Sequence, residues 1–248
     1  SAAYHNRLVL SGNEDSPSTV YFSALNDPEL YEGLSVETQN GERVVGIYAL
    51  LDTLVVQCEN THYAVQGFDE GDISMTVLSS SVGSLGHHYT VPLGDRRAFM
   101  SRKGWHVCDG SSILPLGAGS FDETWAHQQH WIIPATARKG WASVDSDKGV
   151  IKYHAPLGST MTPNASMPTL NIASQCIEWV LDYRRFEAGI GDVRLSFDTS
   201  GGSSTNEVTA SAMLIGADGN ARSYSGDVSG RICLNNIVGY NDLAHNFK

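Results

Sequence analysis

Apolar positions along this chain come in short runs broken by Gly, Asn, Asp, Ser and Pro. Few runs hold the 3.6-residue period of an amphipathic helix, and most are β-branched or aromatic, as strands are. Read in order, the pattern predicts strands over Asn6–Leu10 and Thr19–Ser23, with Ser11–Ser18 as the loop between them. Glu32–Thr38 follows the Asn26-Asp27-Pro28 turn and is closed by Asn40-Gly41. Val44–Ala49 and Thr53–Gln57 read as consecutive strands hinged at Leu51-Asp52, and His62–Gln66 follows a polar turn. Later strands are expected at Ile132–Pro134, Ala142–Val144, Val150–Tyr153, Cys176–Asp182, Val193–Phe197, Val208–Ile215 and Ala221–Tyr224. One stretch reads as helical: Ser120-Phe121-Asp122-Glu123 fits a capping box, and Trp125 to Trp131 would supply one or two turns. Leu157–Asn171 and the Gly/Ser/Thr-rich Asp198–Asn206 read as mobile loops.

Three segments can be superposed. Val55–Gly67, Ala98–Gly110 and Leu214–Gly226 each begin apolar, cross a polar turn, resume as a strand and end in Gly. Each reads as a hairpin, with its turn at Glu59-Asn60, Lys103-Gly104 or Asp218-Gly219, since Asn and Gly tolerate the positive φ of tight turns. Gly67 and Gly110 stand about 43 residues apart, within the 40–45 of a propeller blade. Ala142–Tyr153, turning at Asp147-Lys148-Gly149, is a weaker hairpin of the same logic. The expected fold is therefore all-β: a β-propeller-like array of about five antiparallel blades in one domain over residues 1–248, with a β-sandwich as the alternative. Residues 227–248 read as a C-terminal arm, with Leu234–Lys248 as the docking segment.

Composition narrows the function. With 248 residues the chain can bury a sizeable core without disulfides or metals. Its net charge of -11 argues against tight nucleic-acid binding, which needs clustered Lys and Arg. The basic residues cluster no further than Arg96-Arg97 and Arg102-Lys103. None of Cys58, Cys108, Cys176 and Cys233 lies in a C-x-x-C pair, so buried free thiols are expected rather than a zinc ribbon or redox motif. No run approaches the ~20 apolar residues of a membrane span. No leader is read at Ser1-Ala2-Ala3-Tyr4, and the missing initiator Met reads as processing or an absent true start.

Residues able to do chemistry do not converge in the sequence. His127 and His130 would share a helix face but lack a third ligand, and the neighbours His87-His88 would point apart on a strand. Ser143–Gly149 approaches the Asp-box hairpin of sialidase-like propellers, but its Gly falls two positions late. Asp182, Glu187, Asp192 and Asp198 cluster locally, as solvated turns also do. Trp105, Trp125, Trp131, Trp141 and Trp179 read as core or interface anchors rather than a sugar platform. Asn164-Ala165-Ser166 matches a glycosylation sequon, which bears only on a secreted protein. There is no P-loop, Rossmann fingerprint or G-x-S-x-G. No catalytic, cofactor-binding or metal-ligating residue is assigned, and no cofactor or enzyme activity is expected.

Several stretches resemble neck and tail-nozzle proteins of tailed bacteriophages, the head-completion and stopper proteins with a propeller-like domain. The resemblance rests on Ala3-Tyr4-His5-Asn6-Arg7-Leu8, Val20-Tyr21-Phe22-Ser23-Ala24, Asn26-Asp27-Pro28-Glu29 and the run from Val45-Gly46-Ile47 to Leu54-Val55-Val56. It is closest at Ser81-Val82-Gly83-Ser84, Ala98–Trp105 and Cys108-Asp109-Gly110-Ser111-Ser112, and returns at Met213–Gly226. It covers about two thirds of the chain, through short motifs, and implies a compact member or a portion of a longer one. It implies a ring of identical copies at the head–tail junction or tail nozzle of a virion assembled in the bacterial cytoplasm. The implied partners are the portal or adaptor and other tail proteins. DNA would pass transiently without sequence-specific binding, and no membrane anchor is implied. A carbohydrate-binding or glycan-cleaving propeller, such as a receptor-binding tail part, and a cellular propeller scaffold are the other readings.

Overall fold

The computed structural model describes residues 1–31, 33–67, 69, 71–116, 140–146, 148–156, 176–184, 194–200, 208–215, 221–227 and 232–235. The fold is all-β. Among the described residues, five antiparallel sheets follow one another along the chain, each built from strands consecutive in sequence. The chain divides into two compact units, Ser1–Leu116 and Gly117–Lys248.

The first unit holds three four-stranded meanders. Sheet 1 is β1 (Ala2–Tyr4), β2 (Arg7–Ser11), β3 (Thr19–Phe22) and β4 (Ser35–Glu37). Sheet 2 is β5 (Val44–Leu50), β6 (Thr53–Cys58), β7 (His62–Gln66) and β8 (Ser74–Ser79). Sheet 3 is β9 (Thr90–Leu93), β10 (Arg96–Ser101), β11 (Gly104–Cys108) and β12 (Ile113–Pro115), entered through a 3-10 turn at His87–Tyr89.

Strands β5, β6 and β7 of sheet 2 are buried on both faces, while β8 at its edge is half exposed, and the sequence shows why. Every residue of β6 is buried, and the strand is apolar apart from Thr53 and Gln57. Successive side chains point to opposite faces. Ile47, Leu54, Val56, Cys58, Tyr63 and Val65 therefore share one face and pack on Tyr4, Val9, Val20 and Phe22 of sheet 1. Tyr48, Leu50 and Val55 share the other and pack on Phe99 and Cys108 of sheet 3. Val44 joins the sheet 1 side despite its even spacing from Tyr48, because a register shift between Val44 and Gly46 changes the phase of β5. A sheet covered on both faces by its sequence neighbours is packed as a propeller blade is, and differs from the two-layer arrangement of a sandwich.

Polar links complete this packing. The Tyr4 hydroxyl donates to the Asp52 carbonyl at 3.1 Å. Arg7 donates to the Ser23 carbonyl at 2.7 Å and pairs with Asp69 at 3.2 Å. Glu42 accepts from the Asn60 backbone N–H and the Thr61 hydroxyl, fixing the β6–β7 turn to the segment that enters β5.

The second unit holds sheet 4, β13 (Trp141–Asp145), β14 (Val150–Pro156), β15 (Cys176–Asp182) and β16 (Arg194–Ser200), and sheet 5, β17 (Val208–Ile215), β18 (Ala221–Asp227) and β19 (Ile232–Asn235). Tyr153 and Trp179 are direct cross-strand partners, both fully buried. β13 lies against β17.

Several expectations change in detail. The strand expected over Glu32–Thr38 is confined to β4, and Glu32 lies outside the described residues. The β10–β11 turn is Arg102-Lys103, with Gly104 already paired to Ser101. Gly226 sits inside β18, paired with Ala210 and Ile232, so the third repeat does not end there. Asp198–Ser200, read as loop, belong to β16, because Glu178, Ile177 and Cys176 offer them ladder partners. β19 falls within the expected arm and pairs with β18. The expected helix at Ser120–Trp131, the strand at Ile132–Pro134, Asp218-Gly219, Leu157–Asn171, residues 201–206 and residues 236–248 lie outside the described residues.

Candidate functional site

Where sheets 2 and 3 meet, the β5–β6 turn and the loop after β11 leave an open depression of about 540 Å3. Leu50, Leu51, Leu78, Thr53, Gln66 and Asp109 are among its lining residues. Leu51 is 79% exposed and holds φ at +53°, a left-handed conformation that costs a branched side chain energy. Gly110 packs against Leu50 and has φ +90°, which explains a glycine at this point.

Asp109 organises the floor. Its Oδ1 accepts from the Ser111 N–H at 2.9 Å, the Ser111 hydroxyl at 2.9 Å and the Ser112 N–H at 2.7 Å. Its Oδ2 accepts from the Ser112 hydroxyl at 2.9 Å. Desolvation pushes the carboxyl up, but these four donors outweigh it and hold Asp109 at about 2. The carboxylate is thus spent on its own turn, and the arrangement suits a rigid loop better than proton transfer. The Asp109-Gly110-Ser111-Ser112 string signals such a turn.

The other end of the same interface is polar and closed. His62 on β7 and Gln57 on β6 face each other across the hairpin, 3.2 Å apart. Both are fully buried. Gln57 Oε1 accepts from the Thr90 hydroxyl at 2.9 Å, and His62 Nδ1 lies 2.7 Å from the Val82 carbonyl oxygen. Burial pulls the His62 ring down to about 4. A polar pair inside two apolar runs was the available signal for this network.

The residues weighed from the sequence do not gather here. His87 and His88 are exposed on the 3-10 turn, with rings 5.8 Å apart. Among the described residues, no group of three or more His, Cys, Asp or Glu is placed to hold a metal. Trp105, Trp141 and Trp179 are all buried, and Trp141 stacks on His154 at 3.6 Å. Asp145, in the near-Asp-box hairpin, is buried and accepts from the Lys148 N–H at 3.2 Å, a turn-capping role. Asp182 pairs with Arg184, and Asp198 lies on β16 opposite Glu178. Cys58 and Cys108 are free and buried; burial raises both thiols, Cys58 to about 12, which makes them poor nucleophiles. Cys176 and Cys233 lie on β15 and β19. Trp125, His127, His130, Trp131, Asn164, Glu187 and Asp192 lie outside the described residues. No helix among the described residues is long and apolar enough to cross a membrane. Comparison with protein-family models and with curated proteins gives no match.

Proposed function

We propose that this chain is a non-enzymatic structural protein of a tailed-bacteriophage virion, forming a ring at the head–tail junction or tail nozzle that extends the DNA conduit. The observation that carries the reading is the run of five successive meanders, in which sheet 2 hides both faces against its neighbours. Such stacking spends the apolar surface on internal cohesion and leaves edges and turns for assembly contacts. Of the edge strands, β1, β4 and β12 are three residues each, too short to template open-ended pairing, whereas β5, β16 and β17 run to seven or eight and could pair with a neighbouring copy. The charge of -11 multiplies around a ring and would let DNA pass without gripping it. The resemblance through Ala98–Trp105 and Cys108–Ser112 points the same way. Burial of Trp105, Trp141 and Trp179 removes three tryptophans from the sugar-platform reading.

Native mass spectrometry tests the proposal. A closed oligomer of defined copy number is expected, and imaging should show it on the portal axis. A stable monomer with no affinity for portal or tail proteins would refute it. Removing residues 236–248 is expected to leave the fold intact and to block incorporation.

A further inference from the structure

We propose that His62 and His106 form an acid-released latch that holds sheet 2 against sheet 3. The two faces of sheet 2 differ in chemistry. Toward sheet 1 the buried cluster is aliphatic and aromatic apart from Cys58, and its polar links, made by Tyr4 and Arg7, include no histidine. Toward sheet 3 it carries Phe99 between two imidazoles. His62 approaches the ring of Phe99 at 4.6 Å, and His106, the cross-strand partner of Phe99, stacks on it at 5.7 Å and 23°. His106 Nδ1 lies 3.1 Å from the Gly104 carbonyl and 3.2 Å from the Ser101 hydroxyl.

The network specifies a neutral His62. Its Nδ1–H donates to Val82, and its Nε2 accepts from the Gln57 amide, whose oxygen is turned toward Thr90. Protonation would set two donors face to face. A flipped Gln57 amide would relieve that, with Thr90 accepting instead of donating, so the lasting cost is a buried charge. The elements packed around the ring offer little to offset it. β6 presents Gln57, the segment after β8 presents the Val82 carbonyl, β10 presents Phe99, and β11 presents His106. Of these His106 is titratable, and its charge opposes a second one. On the same face of β10, Arg97 lies over the Tyr48 ring at 5.8 Å. At the turn ends, Arg102 and Glu59 form an exposed ion pair across the two sheets at 3.9 Å. Opening the interface gives the ring water and restores its ordinary affinity for protons.

Two thiols report on the two faces separately. Cys108 belongs to the cluster between sheets 2 and 3, and Cys58 to the cluster between sheets 1 and 2. The full chain is labelled with an acid-competent aromatic disulfide from pH 7 to 4.5, and each labelled cysteine is located by peptide mass. The ratio of Cys108 to Cys58 labelling cancels the intrinsic pH dependence of thiol reactivity. It is expected to rise on the order of 10–100-fold. His62→Gln, neutral at every pH, is expected to flatten the rise. A ratio that stays constant, or His62→Gln with the wild-type slope, overturns the latch. Should that variant fail to fold, the wild-type ratio and the His62 ring resonance decide: a midpoint near pH 6.5, or simultaneous exposure of both thiols, overturns it.

Discussion

Gly83 backs directly onto the carbonyl group of Glu59, with no room between them for a Cβ. The contact places the segment after β8 across the β6–β7 turn, where the Ser84 N–H donates to the Cys58 carbonyl at 2.8 Å. Both neighbours are backbone, so neither can swing aside. Gly83→Ala is therefore expected to destabilise the fold by about 1–3 kcal/mol, read as a lower urea midpoint at unchanged slope. A midpoint equal to the wild type would show that this segment yields.

Leu51 presents the opposite case. Its side chain is largely in water and its backbone is left-handed. Leu51→Gly gives up little packing and relieves the conformational cost, so thermal unfolding should move upward, by about 0.5–1 kcal/mol in stability. A loss of stability would indicate that Leu51 is packed in solution.

Two tyrosines in one core should respond differently to losing a hydroxyl. The Tyr63 hydroxyl is buried with no hydrogen-bond partner among the described residues. The Tyr4 hydroxyl donates to the Asp52 carbonyl. Tyr63→Phe is expected to be neutral or stabilising by up to ~1 kcal/mol, and Tyr4→Phe to cost about 1 kcal/mol. Denaturant titration of the pair side by side checks the contrast.

Acid should act through His62 well before it acts through Asp109. The folded chain binds the His62 proton only near pH 4, whereas the unfolded chain binds it near 6.5. Stability is thus highest above pH 6.5 and erodes as pH falls toward 4, by up to ~3 kcal/mol. Asp109 has the depressed carboxyl of a well-donated turn, so its contribution persists through that range and is lost only as pH drops through about 2. Unfolding midpoints from pH 7 to 4.5 should therefore decline in the wild type. Asp109→Ala should lower stability at every pH in that window by about 1–3 kcal/mol, without changing the slope.

Much of the fold was legible because central strands carry dense apolar patterns. His62–Gln66, Cys176–Asp182 and Val208–Ile215 read with the observed bounds, since each is β-branched or aromatic and flanked by turn residues. The strands left unread were β1, β8, β9, β12 and β19. β1, β8, β9 and β12 are short or half exposed, as Val77 and Leu114 show, while β19 carries the apolar Ile232-Cys233-Leu234 but falls in the segment read as an arm. The site was less legible. Asp109 looks like an ordinary loop acid until Ser111 and Ser112 are seen to converge on it. Gln57 and His62 look like interruptions in apolar strands until the hairpin register sets them opposite each other.

Each sheet is drawn from one continuous stretch, with every strand pairing to the next along the chain. Its ladder can therefore form as soon as that stretch leaves the ribosome, without waiting for distant residues. Loop closures are shortest in sheets 2 and 3, which favours rapid formation of those meanders, whereas pairing Pro156 with Cys176 in sheet 4 closes a longer loop. The doubly covered sheet is the exception in timing: its ladder can form early, but its two sides become dry only after the sheet that precedes it and the one that follows it have both emerged. Synthesis from the N-terminus supplies them in that order.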